Sequence, residues 1–378
     1  MSTGTRDIAE RIRSAAAHGT PLRIVSRGRW LHANRPVQGG ETLSLSECSG
    51  IIDYVPGDLT LTARGGTPLA EIAHAARDHG QWLALDPWGG DDGSIGATVA
   101  TASGGPHAAA FGGPRDNVLG VEFVTGAGDV VRGGGRVVKN VAGFDLTRLL
   151  TGAWGTLGVI TEVTVRLRAL PVRSETIAVT GPAAVIDTLG VRLRALPAAP
   201  YATELVSAEL AARLGLARTT TLLVRTGGNE ESVRAQREDL RSLGDVSDVD
   251  ESVWRALRIV ETPDCAVWRF SQRPSAFGAT WRSGAATIAA AGRAWMHGNP
   301  LRGVVRCVVP GAMAAAALPS AIDLADARAF AGTRIAEVLP TASWAAIPGA
   351  AQDALSRRIR RAFDPHLILN RGILGEAS

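Results

Sequence analysis

Glycine crowds the stretch from Asp86 to Pro171, and two of its clusters have the makings of an anion cradle. Ser94-Ile95-Gly96-Ala97-Thr98 and Ser103-Gly104-Gly105 lack bulk where a backbone has to come close to a charged group. Peptide N–H groups can therefore be turned onto that group without a Cβ in the way. A phosphate-bearing cofactor suits such a surface. Other reactive residue types in this stretch read more plainly. His107 follows a Gly-Gly-Pro turn, where a lone histidine is ordinarily solvated. Gly89-Gly90-Asp91-Asp92 reads as an exposed acidic turn. Lys139, the only lysine of the chain, and Asn140 read as positional residues, since the basic side chains are otherwise all arginine.

These residues need elements to hold them. Residues 7 to 18 carry Ile8, Ile12, Ala15 and Ala16 at helical spacing behind a Thr5 cap, with Gly19 as a stop. Pro21 to Val25 predicts a strand running into the loop Ser26-Arg27-Gly28-Arg29-Trp30, and Thr42–Leu45, Gly50–Val55 and Leu59–Ala63 predict further strands. Thr67 is placed to cap a helix with Pro68 at its first position and Leu69, Ile72, Ala73 and Ala76 on its buried face. Val118 to Val124, a turn through Gly128, and Val130-Val131 predict a hairpin. Past Pro171 the glycines thin out and strand–helix units follow. Strands are predicted at Thr176–Val179, Thr220–Val224, Cys265–Phe270 and Val304–Val309, with helices at Val185–Leu196, Glu230–Leu243 and Ala354–Phe363. The order gives an α+β fold with no internal repeat legible, and the basic run Arg357-Arg358-Ile359-Arg360-Arg361 reads as a solvated helix face.

Composition narrows the function classes. The chain has 378 residues, 46% hydrophobic and 20% charged, which suits a soluble globular protein of two domains. A net charge of +4 without a single-sign block fits small anionic ligands or an acidic partner and argues against a nucleic-acid track. Cys48, Cys265 and Cys307 lie far apart with no C-x-x-C spacing, so these thiolates build neither an iron–sulfur cluster nor a structural zinc site, and no metal site is expected. Without an apolar leader or a long apolar run, the expectation is a cytoplasmic protein with no transmembrane segment.

Three segments together carry a family resemblance: SIGATVATASGGP, GGPRDNVLGVEFVTGAGDVV and GRVVKNVAGFDLTRLLTGAWGTLGVITEVTVRLRALP. They resemble the FAD-binding domain of the vanillyl-alcohol oxidase/PCMH flavoproteins, most of all the small FAD-binding subunits of bacterial glycolate oxidases, over about half of the chain. The ending Phe363-Asp364-Pro365-His366-Leu367-Ile368-Leu369-Asn370-Arg371-Gly372 is similar to the terminal signature of that family. The resemblance implies a PCMH-type FAD-binding domain of two α/β subdomains over residues 1–172. It implies a smaller ferredoxin-like α+β cap over 173–350, and a C-terminal segment, 351–378, returning to the first domain. FAD contacts are expected from Arg27, Gly28, Ser94, Ile95, Gly96, Ala97, Thr101, Ser103, Gly104, Gly105, Gly158, Val159, Ile160 and Asn370. Arg115 and Asp116 are expected beside the flavin ring, with a surface salt bridge as their other reading.

Oxidising a 2-hydroxy acid through FAD takes a base for the hydroxyl proton and a cation for the carboxylate. Relatives that do so alone carry a histidine cluster on the cap, of which Met296-His297-Gly298-Asn299 is the nearest counterpart, with Arg269 and Arg306 as carboxylate partners. The resemblance therefore implies a noncovalent FAD-binding oxidoreductase acting as an accessory subunit of a glycolate or D-lactate oxidising complex. A catalytic flavoprotein and an iron–sulfur subunit are the implied partners, through which the chain would sit peripheral to the inner membrane. A flavin-free scaffold subunit and a stand-alone hydroxy-acid oxidase are the alternatives.

Overall fold

The computed structural model describes residues 3–28, 30–135, 144–289, 293–311, 331–347 and 353–375, so the expectations at Arg29, Lys139 and Asn140 lie outside the described residues. Helix α1 (Thr3–His18) lays Ile8, Ala9, Ile12 and Ala15 over the parallel pair β1 (Leu22–Val25) and β2 (Glu41–Ser44). Thr5 does not cap this helix. It lies inside it, buried, and its hydroxyl donates to Glu122 Oε1 at 2.9 Å.

The chain continues through β3 (Ile51–Val55), β4 (Thr60–Arg64), α2 (Leu69–Arg77), β5 (Gln81–Trp82) and α3 (Ile95–Thr101). The one-turn helices α4 (Ala108–Phe111) and α5 (Pro114–Asn117) follow, then the hairpin β6 (Val118–Val124) and β7 (Val130–Gly134), α6 (Leu146–Leu150), β8 (Val159–Arg166) and β9 (Arg168–Ala169). Strands β3, β4, β8, β6 and β7 lie side by side in that order, all antiparallel. Ile72 and Ala76 of α2 and Ile95 and Val99 of α3 bury against Leu61, Phe123, Val163 and Val165 of that sheet. Thr67 is spent elsewhere than on capping α2: its hydroxyl accepts from the Gly50 N–H at 2.9 Å and donates to the Gly50 carbonyl at 3.1 Å, tying two loops together.

The rest of the chain builds a larger sheet. Its elements are β10 (Arg173–Thr180), α7 (Leu189–Arg194), β11 (Ala202–Val206), α8 (Ala208–Arg213), β12 (Thr221–Gly228), α9 (Glu230–Leu240), β13 (Asp245–Asp248) and α10 (Ser252–Arg258). After these come β14 (Ala266–Ser271), α11 (Phe277–Ile288), β15 (Trp295–Asn299), β16 (Val304–Val309) and β17 (Thr333–Val338). The eight strands are antiparallel in the order β13, β10, β12, β11, β15, β16, β14, β17. Each half places its own strands as fourth, first, third, second, the ferredoxin-like order, and the halves join where β11 meets β15. A repeat that the sequence does not show is thus present in the topology. Both faces are covered: Ile177 and Val179 of β10 meet Leu189, Phe277 and Trp281, while Ala178 turns toward Val253, Trp254 and Leu257 together with Ala33 and Trp88 from the N-terminal part of the chain. That two-sided burial makes these strands read as continuous apolar runs.

Helix α12 (Ala354–Phe363) ends at Asp364, whose carboxylate accepts the N–H groups of Ile368 at 3.1 Å and Leu369 at 2.9 Å. Arg360, read from sequence as part of a solvated face, is buried, and its guanidinium donates to the Leu369 carbonyl at 2.7 Å. The turn so made sets Leu369 beside Leu22 of β1 and carries Asn370 to the edge of that strand.

Candidate functional site

A groove runs from the end of β1 across the start of α3. Arg27 and Gly28 line it on one side, Ser94, Gly96, Ala97 and Thr101 on another, and Gly158, Val159, Ile160 and Asn370 close it. Ser94 caps α3, its Oγ accepting from the Ala97 N–H at 3.2 Å. Asn370 fastens the walls: its Oδ1 accepts from the Ile24 N–H and its Nδ2 donates to the Trp154 carbonyl, each at 2.8 Å. Past Trp30, Thr101 and Trp154, which line both parts, the groove opens into a cavity under the cap. Ser103, Gly104 and Gly105 form one wall there, and Glu204, Arg269, Asn299, Arg302, Arg306 and Glu337 come from the cap.

The glycines divide into two kinds. A Cβ on Gly96 would stand 2.6 Å from the Gly65 carbonyl oxygen, one on Gly105 would stand 1.8 Å from the Asp86 carbonyl oxygen, and one on Gly158 would stand 2.5 Å from the Phe123 ring. Those three serve chain packing, whatever else touches them. On Gly104 the Cβ would meet only the Ala108 side chain at 3.3 Å and Arg302 Nη1 at 3.6 Å, so its space belongs to the cavity.

The groove fits a polar cofactor. Ser26 Oγ in its first part and Ser103 Oγ in its second are buried without a hydrogen-bond partner among the described residues, which a bound ligand with acceptor oxygens would supply. Three expected contacts fall elsewhere. Ile95 points into the core of the five-stranded sheet. Arg115 and Asp116 are exposed on α5 and line neither part of the groove; Asp116 Oδ2 accepts from the Gly113 N–H at 3.0 Å, closing the turn.

Under the cap, His297 is not a solitary remnant. It lies on β15 at the seam between the two halves of the sheet, fully buried, with Nδ1 2.7 Å from Glu204 Oε1 and Nε2 3.2 Å from Glu261 Oε1. Arg306 donates to both oxygens of Glu261, at 2.6 and 2.7 Å, and also pairs with Glu337; Arg269 donates to Glu337 at 2.6 Å. The carboxylates these two arginines meet are therefore the chain's own, which corrects the expectation that they wait for a substrate. His297 itself does not line the cavity, and both its nitrogens are engaged.

Burial opposes charge throughout this network, and the partners decide which way each group moves. For His297 the two glutamates outweigh burial and raise its affinity for a proton. Burial pushes Glu261 up, yet Arg306 and His297 overcome it and hold its carboxyl at about 2. In Glu204 burial wins, and its pKa lies above the usual carboxylate range despite His297. Arg302 has no carboxylate partner among the described residues; burial lowers its pKa, only partly offset by Glu204. Sequence reasoning missed Glu204, Glu261, Glu337 and Arg302. A glutamate inside the apolar strand Ala202–Val206 was the one signal available, whereas Glu261 and Arg302 stand in turns that show nothing.

Residues 3–134 match the FAD binding domain family. The glycolate oxidase subunit GlcE of Escherichia coli is 41% identical over 165 residues, 43% of this chain and 47% of that protein. The glycolate oxidase subunit GlcD of Bacillus subtilis is 33% identical over 176 residues, 46% of this chain and 37% of that one. The matched part thus spans about half or less of these curated relatives. Among solved structures, 4-ethylphenol oxidase from Gulosibacter chungangensis superposes with a TM-score of 0.71 at 16% identity, covering 98% of this chain and 87% of that one. Residues 3–134 thus carry the match to the FAD binding domain family, and the chain as a whole shares its fold with 4-ethylphenol oxidase.

Proposed function

We propose that the chain is the FAD-binding oxidoreductase subunit of a complex that oxidises a 2-hydroxy acid of the glycolate or D-lactate kind. FAD is held noncovalently by the groove residues named above, and a second flavoprotein and an iron–sulfur subunit are its partners. The observation that carries this reading is the continuity of the groove through Trp30, Thr101 and Trp154 into a cavity holding one uncommitted arginine. Bound FAD supplies the two-electron acceptor. Arg302 binds and orients the substrate carboxylate, a role that Arg269 and Arg306 cannot share while Glu337 and Glu261 occupy them. Glu204, on the cavity wall and made more basic by burial, is the group placed to hold the hydroxyl proton, and His297 beneath it fixes its orientation. Trp88, in ring contact with His297 and under the Arg306 guanidinium, keeps water from the network. The names of GlcE and GlcD support the substrate class and the subunit role.

A second reading assigns turnover to the partner flavoprotein and electron relay to this chain; the enclosure of His297 favours it. Anaerobic mixing of the FAD-loaded chain with glycolate or D-lactate, followed by flavin absorbance, separates the two. Bleaching by the isolated chain that is lost in Arg302→Gln supports the first reading. Bleaching only after partner subunits are added, and indifferent to Arg302→Gln, overturns it in favour of the second.

A further inference from the structure

A separate cleft of ≈ 400 Å³ opens where α2 meets the cap, and it shares no lining residue with the groove. Both domains build it, with Arg77 and Trp82 on one side and Tyr201 and Arg225 on the other. Its charges do not balance: Arg77, Arg225 and Arg258 stand against only Asp86 and Asp91. Arg258 is matched by Asp91, to which it donates at 2.6 Å; Asp91 stands in the turn read from sequence, and that turn lines the cleft. Arg225 donates from Nε to Ser174 Oγ at 3.0 Å, but its nearest carboxylate is Glu251 at 3.7 Å, whose side chain is 77% exposed. Burial lowers the pKa of Arg225; Glu251 and Asp86 offset this only in part, and Arg77 adds a like charge against it.

His107 supplies the second, independent sign of a ligand. It is only 8% exposed, which corrects its reading as a solvated loop residue. Its backbone N–H is fixed by both oxygens of Asp86, at 3.0 and 3.2 Å, and its Nδ1 lies 2.9 Å from Asp86 Oδ2, off the line of a good hydrogen bond. His107 lines the cleft, and its Nε2 is buried without a partner among the described residues. An orphaned ring nitrogen and an excess of one positive charge among the arginines and aspartates thus share one cleft with an apolar wall.

We propose that this cleft binds a small monocarboxylate with an apolar body. The carboxylate lies among Arg77, Arg225 and His107 Nε2, and the body rests on Leu69, Trp82 and Pro171. A carboxylate there accepts from His107 and offsets both arginines, and because the walls belong to different domains, the ligand ties the cap to the FAD domain. Inorganic phosphate shares the oxyanion chemistry but has no body to bury, so it distinguishes the two sources of charge.

Calorimetric titration of the full chain at constant ionic strength, with benzoate, acetate and inorganic phosphate as probes, tests the site. Benzoate is expected to bind about tenfold or more tightly than acetate, from the ring buried on the wall. Arg225→Gln and the exposed-residue variant Arg77→Gln are each expected to weaken benzoate at least about tenfold, and Arg302→Gln to leave it unchanged. Should Arg225→Gln fail to fold, Arg77→Gln and His107→Gln carry the test. Benzoate binding that is undetectable, indifferent to Arg77→Gln, or abolished by Arg302→Gln overturns the proposal. So does phosphate binding as tightly as benzoate, which would make the cleft a bare oxyanion site.

Discussion

Glu204 turns Oε1 to His297 Nδ1 at 2.7 Å and leaves Oε2 buried without a partner among the described residues. The two side chains come from β11 and β15, the edge strands where the two halves of the cap sheet join. A buried carboxylate with one committed and one open oxygen is held in orientation while keeping a proton-accepting atom. The arrangement depends on the seam: a shift of one residue in the β11–β15 register would turn one of the two side chains to the other face.

Glu204→Gln keeps the shape and removes the charge. FAD binding, followed by absorbance and by flavin release on denaturation, should be unchanged. Flavin reduction by the hydroxy acid should slow by about 100-fold or more, the usual worth of a positioned base. Reduction at the parent rate in the variant would leave Glu204 a structural residue only.

The same network sets a pH dependence. Folded His297 holds its proton more tightly than the unfolded chain, where histidine titrates near pH 6.5. Its contribution to stability is therefore complete below about pH 6.5 and lost as the pH rises through the elevated native value. Glu261 runs the other way: its native value of about 2 lies below the ordinary 4.5, so its contribution is present above 4.5 and lost as pH falls toward 2. Melting temperature against pH should fall on the alkaline side in the parent chain and more gently in His297→Gln. Parallel alkaline slopes in the two proteins would refute this.

FAD should stabilise the fold by mass action. At about 100 times its dissociation constant, a ligand selective for the native state adds roughly 2.7 kcal/mol. A melting temperature indifferent to FAD in protein first stripped of flavin would favour a flavin-free scaffold, as would a colourless purified chain.

Two glycine substitutions should part company. Gly104→Val directs its side chain into the cavity beside Arg302 and is expected to yield folded protein poor in flavin. Gly96→Ala forces a Cβ against the Gly65 carbonyl and should cost stability first, by about 1–3 kcal/mol. Circular dichroism and flavin content, measured together, decide; a fully flavinated Gly104→Val would show that the cofactor does not use that space.

Asn370→Ala strips one partner each from the Ile24 N–H and the Trp154 carbonyl. Both groups are part-buried, so leaving them unpaired costs about 1 kcal/mol each. Chemical denaturation should show a loss of that order together with weaker FAD binding, since the groove walls are no longer fastened. Loss of flavin with unchanged stability would instead make Asn370 a direct cofactor contact.

The sequence by itself determined many of the local elements and several of the residues that line the groove. Strand β16 and helix α12 fall where apolar runs and helical spacing place them, and Ser94, Gly96, Thr101 and Gly158 share one groove because they stand at the ends of elements whose order the glycine pattern marks. Local spacing cannot say which partner a side chain finds across the fold. Thr5 and Thr67 have the chemistry of helix caps, and only packing sends their hydroxyls to Glu122 and Gly50. The doubled strand order of the cap arises from pairing between strands far apart in sequence. His297, Glu204, Glu261 and Arg306 span more than a hundred positions, and burial around Trp88 alone makes them one charge network. Tertiary structure likewise decided how the arginines divide: Arg269 and Arg306 face carboxylates of their own chain, while Arg302, in a turn no pattern distinguishes, stands opposite Gly104 with no ion pair among the described residues.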